Sequence, residues 1–193
     1  MERITYVDEQ GCSVWVIPNY LSASEQEELA AECRGLELVR FYLGVKYGRE
    51  CYQHRLSMGF GQPYAYSGKV HPAVEWTPVA AGIRDRINKE FDKGFNGGLV
   101  NVYRNGEDYI SPHSDDETTL AANGSVYGLS LVTERNMVMK WKKDKERPRI
   151  VIPLPVGSLF AMEGATQRFL THEMPVTKRV KTERISVTLR QFQ

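Results

Sequence analysis

Cysteine and histidine are both scarce, with three and four copies in a chain of 193 residues. Cys12, Cys33 and Cys51 form no CxxC pair, and an odd, scattered count argues against a disulfide framework. A reducing setting, cytosolic or nuclear, is therefore expected. No apolar run approaches the roughly 20 residues that span a bilayer. The opening MERITYVDEQ lacks an apolar signal core, so no membrane partner is expected. Net charge is also nearly absent, at +1, so no whole-molecule field draws the chain onto nucleic acid. What charge there is lies segregated. Residues 140–149, KWKKDKERPR, hold six bases and two acids, whereas residues 107–117 hold five acids and no base. There is no internal repeat and no low-complexity tract. With 41% apolar and 25% charged residues, the composition is that of an ordinary globular protein, and the length suits one domain, 1–193.

Two helices are predicted in the first half. VWVIPNYLSASEQEELAAECR reads as a short strand, a turn and a helix starting near Ser22 or Ser24, each followed three residues later by a glutamate as a capping box requires. In WTPVAAGIRDRINKEF, Thr77 is a candidate cap and Pro78 suits the first turn. Val79, Ile83, Ile87 and Phe91 recur every four residues as one buried stripe. From Leu99 onward the pattern turns to short β-type runs: LVNVY, SVYGLSLVT, NMVMKWK, RIVIPL, SLFAM, TQRFLTHEM and RISVTLRQF. Helices first and strands afterwards predict a sandwich or jelly roll with the helices on one outer face. The intervening YGRECYQHRLSMGFGQPYAYSG is rich in glycine and aromatics and reads as hairpins or a flap.

The chemistry-bearing candidates begin with YISPHSDDE, residues 109–117. If this segment is a strand, His113 and Asp115 share a face and aim a nitrogen and an oxygen at one point. His172, at the end of a predicted strand in RFLTHEMP, is the candidate third ligand. Two histidines and a carboxylate suit the facial triad of non-haem iron oxygenases, and zinc hydrolysis is a rival with similar ligands. The last strand bears on the choice. In RISVTLR, alternation puts Arg184, Ser186, Thr188 and Arg190 on one face and Ile185, Val187 and Leu189 on the other. If that polar face lines the cup containing His172, its two guanidiniums need anionic partners, and a small dicarboxylate would serve both. Asn101 and Tyr103 add neutral hydrogen-bonding groups.

HxD, a distant His and RxxxxxR about a dozen positions on resemble the iron- and 2-oxoglutarate-dependent dioxygenases, and specifically the AlkB family of nucleic-acid demethylases. The resemblance covers most of the chain. NVYRNGEDYISPHSDDE is similar to the family's N-x-Y segment leading into HxDxE. PYAYSG resembles the aromatic piece of its nucleotide-recognition lid, and RISVTLR its R-x-N-x-T-F-R ending. Two positions depart from the pattern, Ser186 for asparagine and Leu189 for phenylalanine.

The resemblance implies a mainly β, α+β fold: a double-stranded β-helix, or jelly roll, with two N-terminal supporting helices and a nucleotide-recognition lid. Residues 1–98 would give helical support plus the lid (about 37–76), and 99–193 the jelly-roll catalytic core. It implies that His113, Asp115 and His172 bind Fe(II). Arg184 would pair with the distal carboxylate of 2-oxoglutarate, helped by Tyr103 and Ser186, while Arg190 and Asn101 contact its iron-chelating end. O2 is the remaining co-substrate, and formaldehyde, succinate and CO2 the products. Glu117 would face the methylated base, Tyr64 and Tyr66 would contact the nucleotide from the lid, and Lys178 and Arg179 would meet backbone phosphates. The implied partner is single-stranded or base-flipped DNA or RNA, bound by a monomer with no obligatory protein partner. The alternatives are the same iron chemistry on a protein, lipid or small molecule, or a non-catalytic nucleic-acid-binding module.

Overall fold

Ser22 opens the first helix. Its Oγ accepts from Glu25 N at 3.3 Å while Glu25 Oε2 accepts from Ser22 N at 2.9 Å. This reciprocal cap starts α1, Ala23–Arg34. The computed structural model describes residues 2–66, 69–116, 119–121 and 124–193; the side chains of residues 46, 64–66, 69 and 71 are outside that description. The second helix, α2, runs Pro78–Phe91 with Thr77 at its N-cap. Thr77 does not cap its own helix with its side chain. Instead Glu32 of α1 accepts from Thr77 Oγ1 at 2.5 Å, Val79 N at 3.0 Å and Ala80 N at 3.1 Å. A carboxylate borrowed from the neighbouring helix thus satisfies the orphan donors and the positive end of α2. Ile83 and Ile87 are buried, with Val79 and Phe91 partly buried, against Trp15, Leu29, Val100, Val102 and Val187, so the predicted stripe is the packed face.

Those helices pack on one side of an eight-stranded sheet. Its strands are β1 (Ile4–Glu9), β2 (Cys12–Ile17), β5 (Leu56–Phe60), β8 (Ala73–Val74), β9 (Gly97–Tyr103), β11 (Val126–Leu131), β14 (Leu159–Gly164) and β16 (Arg184–Arg190). The spatial order is β1-β2-β14-β11-β16-β9-β5-β8. A second sheet orders β10 (Ile110–His113), β15 (Leu170–Met174), β12 (Arg135–Trp141) and β13 (Ile150–Leu154) as β10-β15-β12-β13. The hairpins β3 (Tyr42–Lys46) with β4 (Arg49–Tyr52), and β6 (Tyr64–Tyr66) with β7 (Lys69–His71), complete the chain. Between the two large sheets lies a second apolar cluster that includes Val14, Met137, Met139, Ile152, Phe160 and Leu170. The result is a mostly β jelly-roll sandwich with α1 and α2 on one outer face.

Three expectations need amending. The order is not helices first and strands afterwards: β1 and β2 precede α1, and β5 and β8 precede α2. The major sheet therefore takes four strands from the region read as support and lid. TQRF is not the start of a strand but a four-residue helix, α3 (Thr166–Phe169), that leads into β15. Finally, β10 ends at His113, so strand alternation does not place Asp115.

The Glu163 carboxylate ties the helical layer to the sheet. Trp15 Nε1 donates to it at 2.7 Å, Tyr127 Oη at 2.8 Å, and Lys93 Nζ lies 2.9 Å away. Burial pushes its pKa up, and these donors outweigh burial and hold it below 4.5. Among the described residues no helix is long and apolar enough to cross a membrane.

Candidate active site

Register puts two histidines together. β10 and β15 are antiparallel, and His113 and His172 are direct cross-strand partners, with ring centroids 4.2 Å apart. Opposed residues on antiparallel strands point to the same face, here into the space between the sheets. His113 Nδ1 lies 2.9 Å from Ser111 O, which turns Nε2 inward. Asp115 reaches the same point from the loop after β10. Its backbone N donates to Gln167 Oε1 on α3 at 2.9 Å, and Ser114 Oγ donates to Leu170 O at 2.8 Å. Two side-chain clamps thus hold the turn that presents the carboxylate.

His113 Nε2 and His172 Nε2 lie 3.6 and 3.9 Å from Asp115 Oδ1. Both distances exceed those of a hydrogen bond, and the three candidate donor atoms all lie within 4.8 Å of one another. Burial, then the neighbouring His113, pushes His172 down to about 3, and burial lowers His113 as well. Both imidazoles are therefore neutral near pH 7 and offer lone pairs. Burial works against the ionised form of Asp115, but Arg190, at 2.6 Å from Oδ2, outweighs it and holds the carboxyl well below the usual carboxylate range. A carboxylate and two neutral imidazoles converging without hydrogen bonds to each other fit a divalent ion, and this donor set suits non-haem iron.

The opposite wall comes from the major sheet. Arg184, Ser186, Thr188 and Arg190 of β16 all line the cavity that holds the three donors, while Ile185, Val187 and Leu189 pack in the helical core. The alternation expected of this strand is the one observed. Four register partners on adjacent strands, Ser130, Ser186, Asn101 and Ser57, form a polar rung across the sheet. Arg184, opposite Tyr103 in register, is 2% exposed. It donates from Nη2 to Ser130 Oγ at 2.8 Å, and its guanidinium sits 5.5 Å from the Tyr103 ring centroid. Its Nε has no partner and no acid pairs with it among the described residues. Burial brings its pKa down to about 10, so it stays charged. Such a group fits a bound carboxylate. Arg190, expected at the iron-chelating end of the co-substrate, donates to Asp115 and to Thr188 Oγ1.

Several contributors are absent from the sequence reading. Ser130 follows from alternation in β11, where Val126, Gly128 and Ser130 line the cavity. Arg135 alternates with Met137 and Met139 on the buried face of β12, caps the carbonyls of Asp108 and Pro175 and holds its guanidinium 5.2 Å from the Tyr103 ring. Gln167 and Arg55 gave no such pattern. A groove lined by Leu43, Tyr52, His54 and Tyr109 adjoins the cavity, with Arg55, Ile110 and His113 common to both. His54 stacks on Tyr109 with centroids 4.4 Å apart. Asp116 is exposed, 3.9 Å from Lys142. Glu117 and the side chains of Tyr64 and Tyr66 lie outside the described residues. Lys178 and Arg179 are exposed on the turn before β16.

A sandwich carrying this donor set opposite a buried arginine is the architecture of a known class: residues 13–190 match the 2OG-Fe(II) oxygenase superfamily, and the chain belongs to it. Within that class its likeness is to AlkB homologues. It is 35% identical over 147 residues to human alpha-ketoglutarate-dependent dioxygenase alkB homolog 3, covering 72% of this chain and 51% of that protein. It is 33% identical over 138 residues to mouse DNA oxidative demethylase ALKBH2, covering 68% and 58%. The chain thus spans about half the length of the curated relatives it matches. The solved structure of OsALKBH1 aligns with 97% of this chain and 100% of its own at a TM-score of 0.67 and 16% identity, a likeness of fold.

Proposed function

We propose that this chain is an Fe(II)- and 2-oxoglutarate-dependent dioxygenase that demethylates N-alkylated bases in DNA or RNA, acting on single-stranded or flipped-out nucleotides. The observation that carries the reading is Arg184, a buried guanidinium without an acidic partner among the described residues, lining the same cavity as the His113, Asp115 and His172 donors. A buried cation without an anion is costly. A dicarboxylate held at Arg184 by one end and at the metal by the other would relieve that cost.

Bound iron, with 2-oxoglutarate and O2, supplies oxidation of a C–H bond coupled to decarboxylation of the co-substrate to succinate. The chain's own residues position the participants. His113, Asp115 and His172 would hold the ion. Arg190 keeps Asp115 ionised and turned with Oδ1 inward. Arg184, with Ser130, Ser186 and Tyr103, would grip the distal carboxylate, and Asn101 would face the other end. The apolar wall of Met137, Leu154 and Phe160 limits water. On the substrate side, the groove beside His113 would admit the base. Tyr64, Tyr66 and Glu117 are proposed contacts for it, and Lys178 and Arg179 for phosphates. Hydroxylating an N-methyl carbon gives a hemiaminal, which breaks its C–N bond to release formaldehyde and return N–H to the base. The likeness to mouse DNA oxidative demethylase ALKBH2 supports the substrate class.

The test is incubation with methylated single-stranded DNA and RNA oligonucleotides, Fe(II), 2-oxoglutarate and ascorbate. Formaldehyde should appear as each oligonucleotide loses the mass of one CH2 per methyl removed. Succinate formation stimulated only by proteins, lipids or small molecules would overturn the substrate claim.

A further inference from the structure

We propose that Arg55 is a positioning residue for the co-substrate: it fixes the Asn101 amide with its N–H groups toward the cavity, and its own terminal nitrogens complete the carboxylate-binding surface at the neck between cavity and groove. The inference rests on the Fe(II)/2-oxoglutarate reading.

Arg55 comes from the segment between β4 and β5, in which no periodicity points to a site, yet it is only 5% exposed. It lines both the cavity and the groove. Its Nε donates to Asn101 Oδ1 at 2.7 Å. Ser57 Oγ donates to the same oxygen at 2.8 Å, and Gln53 Nε2 donates to Ser57 Oγ at 2.8 Å. An amide oxygen has two lone pairs, so these two donors saturate Oδ1 and leave the two N–H groups of Nδ2 as the available end of Asn101. That side chain stands in the middle of the polar rung on the cavity wall. Arg55 itself has no acidic partner among the described residues, and its terminal nitrogens donate no hydrogen bond to another described residue. A guanidinium fixed through Nε, with its fork free, matches a carboxylate in a way that a lysine ammonium cannot reproduce. Arg184 occupies the far part of the cavity, near Ser130 and Tyr103. Arg55, beside Asn101 and near His113, serves the end closer to the metal donors.

The experiment titrates 2-oxoglutarate into protein loaded with Mn(II), calorimetrically and without turnover. Arg55→Gln should weaken 2-oxoglutarate binding by about tenfold or more, as expected for loss of a hydrogen bond to a charged group, while Mn(II) affinity changes by less than about twofold. Arg55→Lys, which keeps the charge and loses the fork, should fall between Arg55→Gln and wild type, and it is the variant to read if Arg55→Gln does not fold. Asn101→Ala should weaken binding similarly, and the double variant Arg55→Gln/Asn101→Ala should be no weaker than the worse single one, because the two residues act as a unit. Wild-type affinity in Arg55→Gln, or losses that multiply in the double variant, would overturn the proposal. So would an Arg55→Gln protein that retains 2-oxoglutarate but loses a methylated oligonucleotide, since Arg55 would then serve the groove. If Mn(II)-loaded wild type fails to bind 2-oxoglutarate, the underlying reading falls; if wild type binds and the variant matches it, only the role of Arg55 falls.

Discussion

Arg190 and Asp115 form a buried ion pair in which each carboxylate oxygen has its own task. Oδ2 accepts from Arg190 Nη2 at 2.6 Å, and Oδ1 turns to His113 and His172 at 3.6 and 3.9 Å. The pair joins the two sheets of the sandwich, because Arg190 ends β16 while Asp115 follows β10. Removing the arginine alone strands a charge in the interior. Arg190→Met should therefore destabilise the protein by about 3–5 kcal/mol. It should also weaken metal binding by about 10–100-fold, since the outer partner of a ligating carboxylate is lost. Chemical denaturation and Mn(II) titration check the two effects. An unchanged metal affinity would show that Arg190 does not orient the ligand.

Arg184 should behave differently. Among the described residues it makes no hydrogen bond or ion pair with the three donor side chains, and its hydrogen bond goes to Ser130. Arg184→Gln should raise the KM for 2-oxoglutarate by about 100-fold, the cost of two charge-assisted hydrogen bonds, and leave Mn(II) affinity within a few-fold of wild type. Arg184→Lys should recover only part of the loss, because the ammonium cannot present a fork. Loss of metal binding in Arg184→Gln would mean that the residue supports the donors and not the co-substrate.

How much of this was readable from sequence depends on whether a residue sits in a periodic element. β16 carried its whole message in alternation: Arg184, Ser186, Thr188 and Arg190 on the cavity, Ile185, Val187 and Leu189 in the core. α1 and α2 announced themselves by capping residues and an apolar stripe. Asp115 was correctly grouped with His113, but on the wrong ground, since the strand ends before it and Gln167 holds the turn. Arg55 and Gln53 were invisible because an irregular segment has no face to infer, and their partners lie 46 and 4 residues away. β1 and β2 were undervalued because which strands join a sheet is a long-range pairing, and local pattern does not report it.

Glu163 makes stability depend on pH in a definite direction. Its folded pKa is depressed below the ordinary 4.5. Its contribution is therefore complete above that value and is lost as pH falls through the folded pKa. Glu163→Gln keeps the shape and removes the charge from the contacts with Lys93, Trp15 and Tyr127. At neutral pH the variant should be less stable than wild type by about 2 kcal/mol, and the gap should narrow below pH 4.5. Thermal melts of both proteins across that range decide it; a constant gap would mean that the carboxylate charge is not what the donors stabilise.

The basic turn before β16 supplies a test of the nucleic-acid assignment that does not depend on turnover. Lys178 and Arg179 are exposed, yet the turn that carries them is pinned. Thr177 N donates to Gly106 O at 2.7 Å, Gly106 N to Val180 O at 2.9 Å, and Val180 N to Thr177 O at 2.9 Å. Gly106 permits that approach, since a Cβ there would lie 1.9 Å from Thr177 O. If both cations meet phosphates, Lys178→Ala/Arg179→Ala should bind single-stranded oligonucleotides more weakly. The slope of log K against log salt should also become shallower by about 1.4, two contacts at roughly 0.7 each on a single strand. Gly106→Ala, which leaves both charges in place but displaces their turn, should weaken binding as well. The slope is the more telling quantity: general damage to the fold lowers affinity at every salt concentration, whereas loss of phosphate contacts changes the number of counterions released. A double variant whose affinity falls with the slope unchanged would remove these residues from the interface.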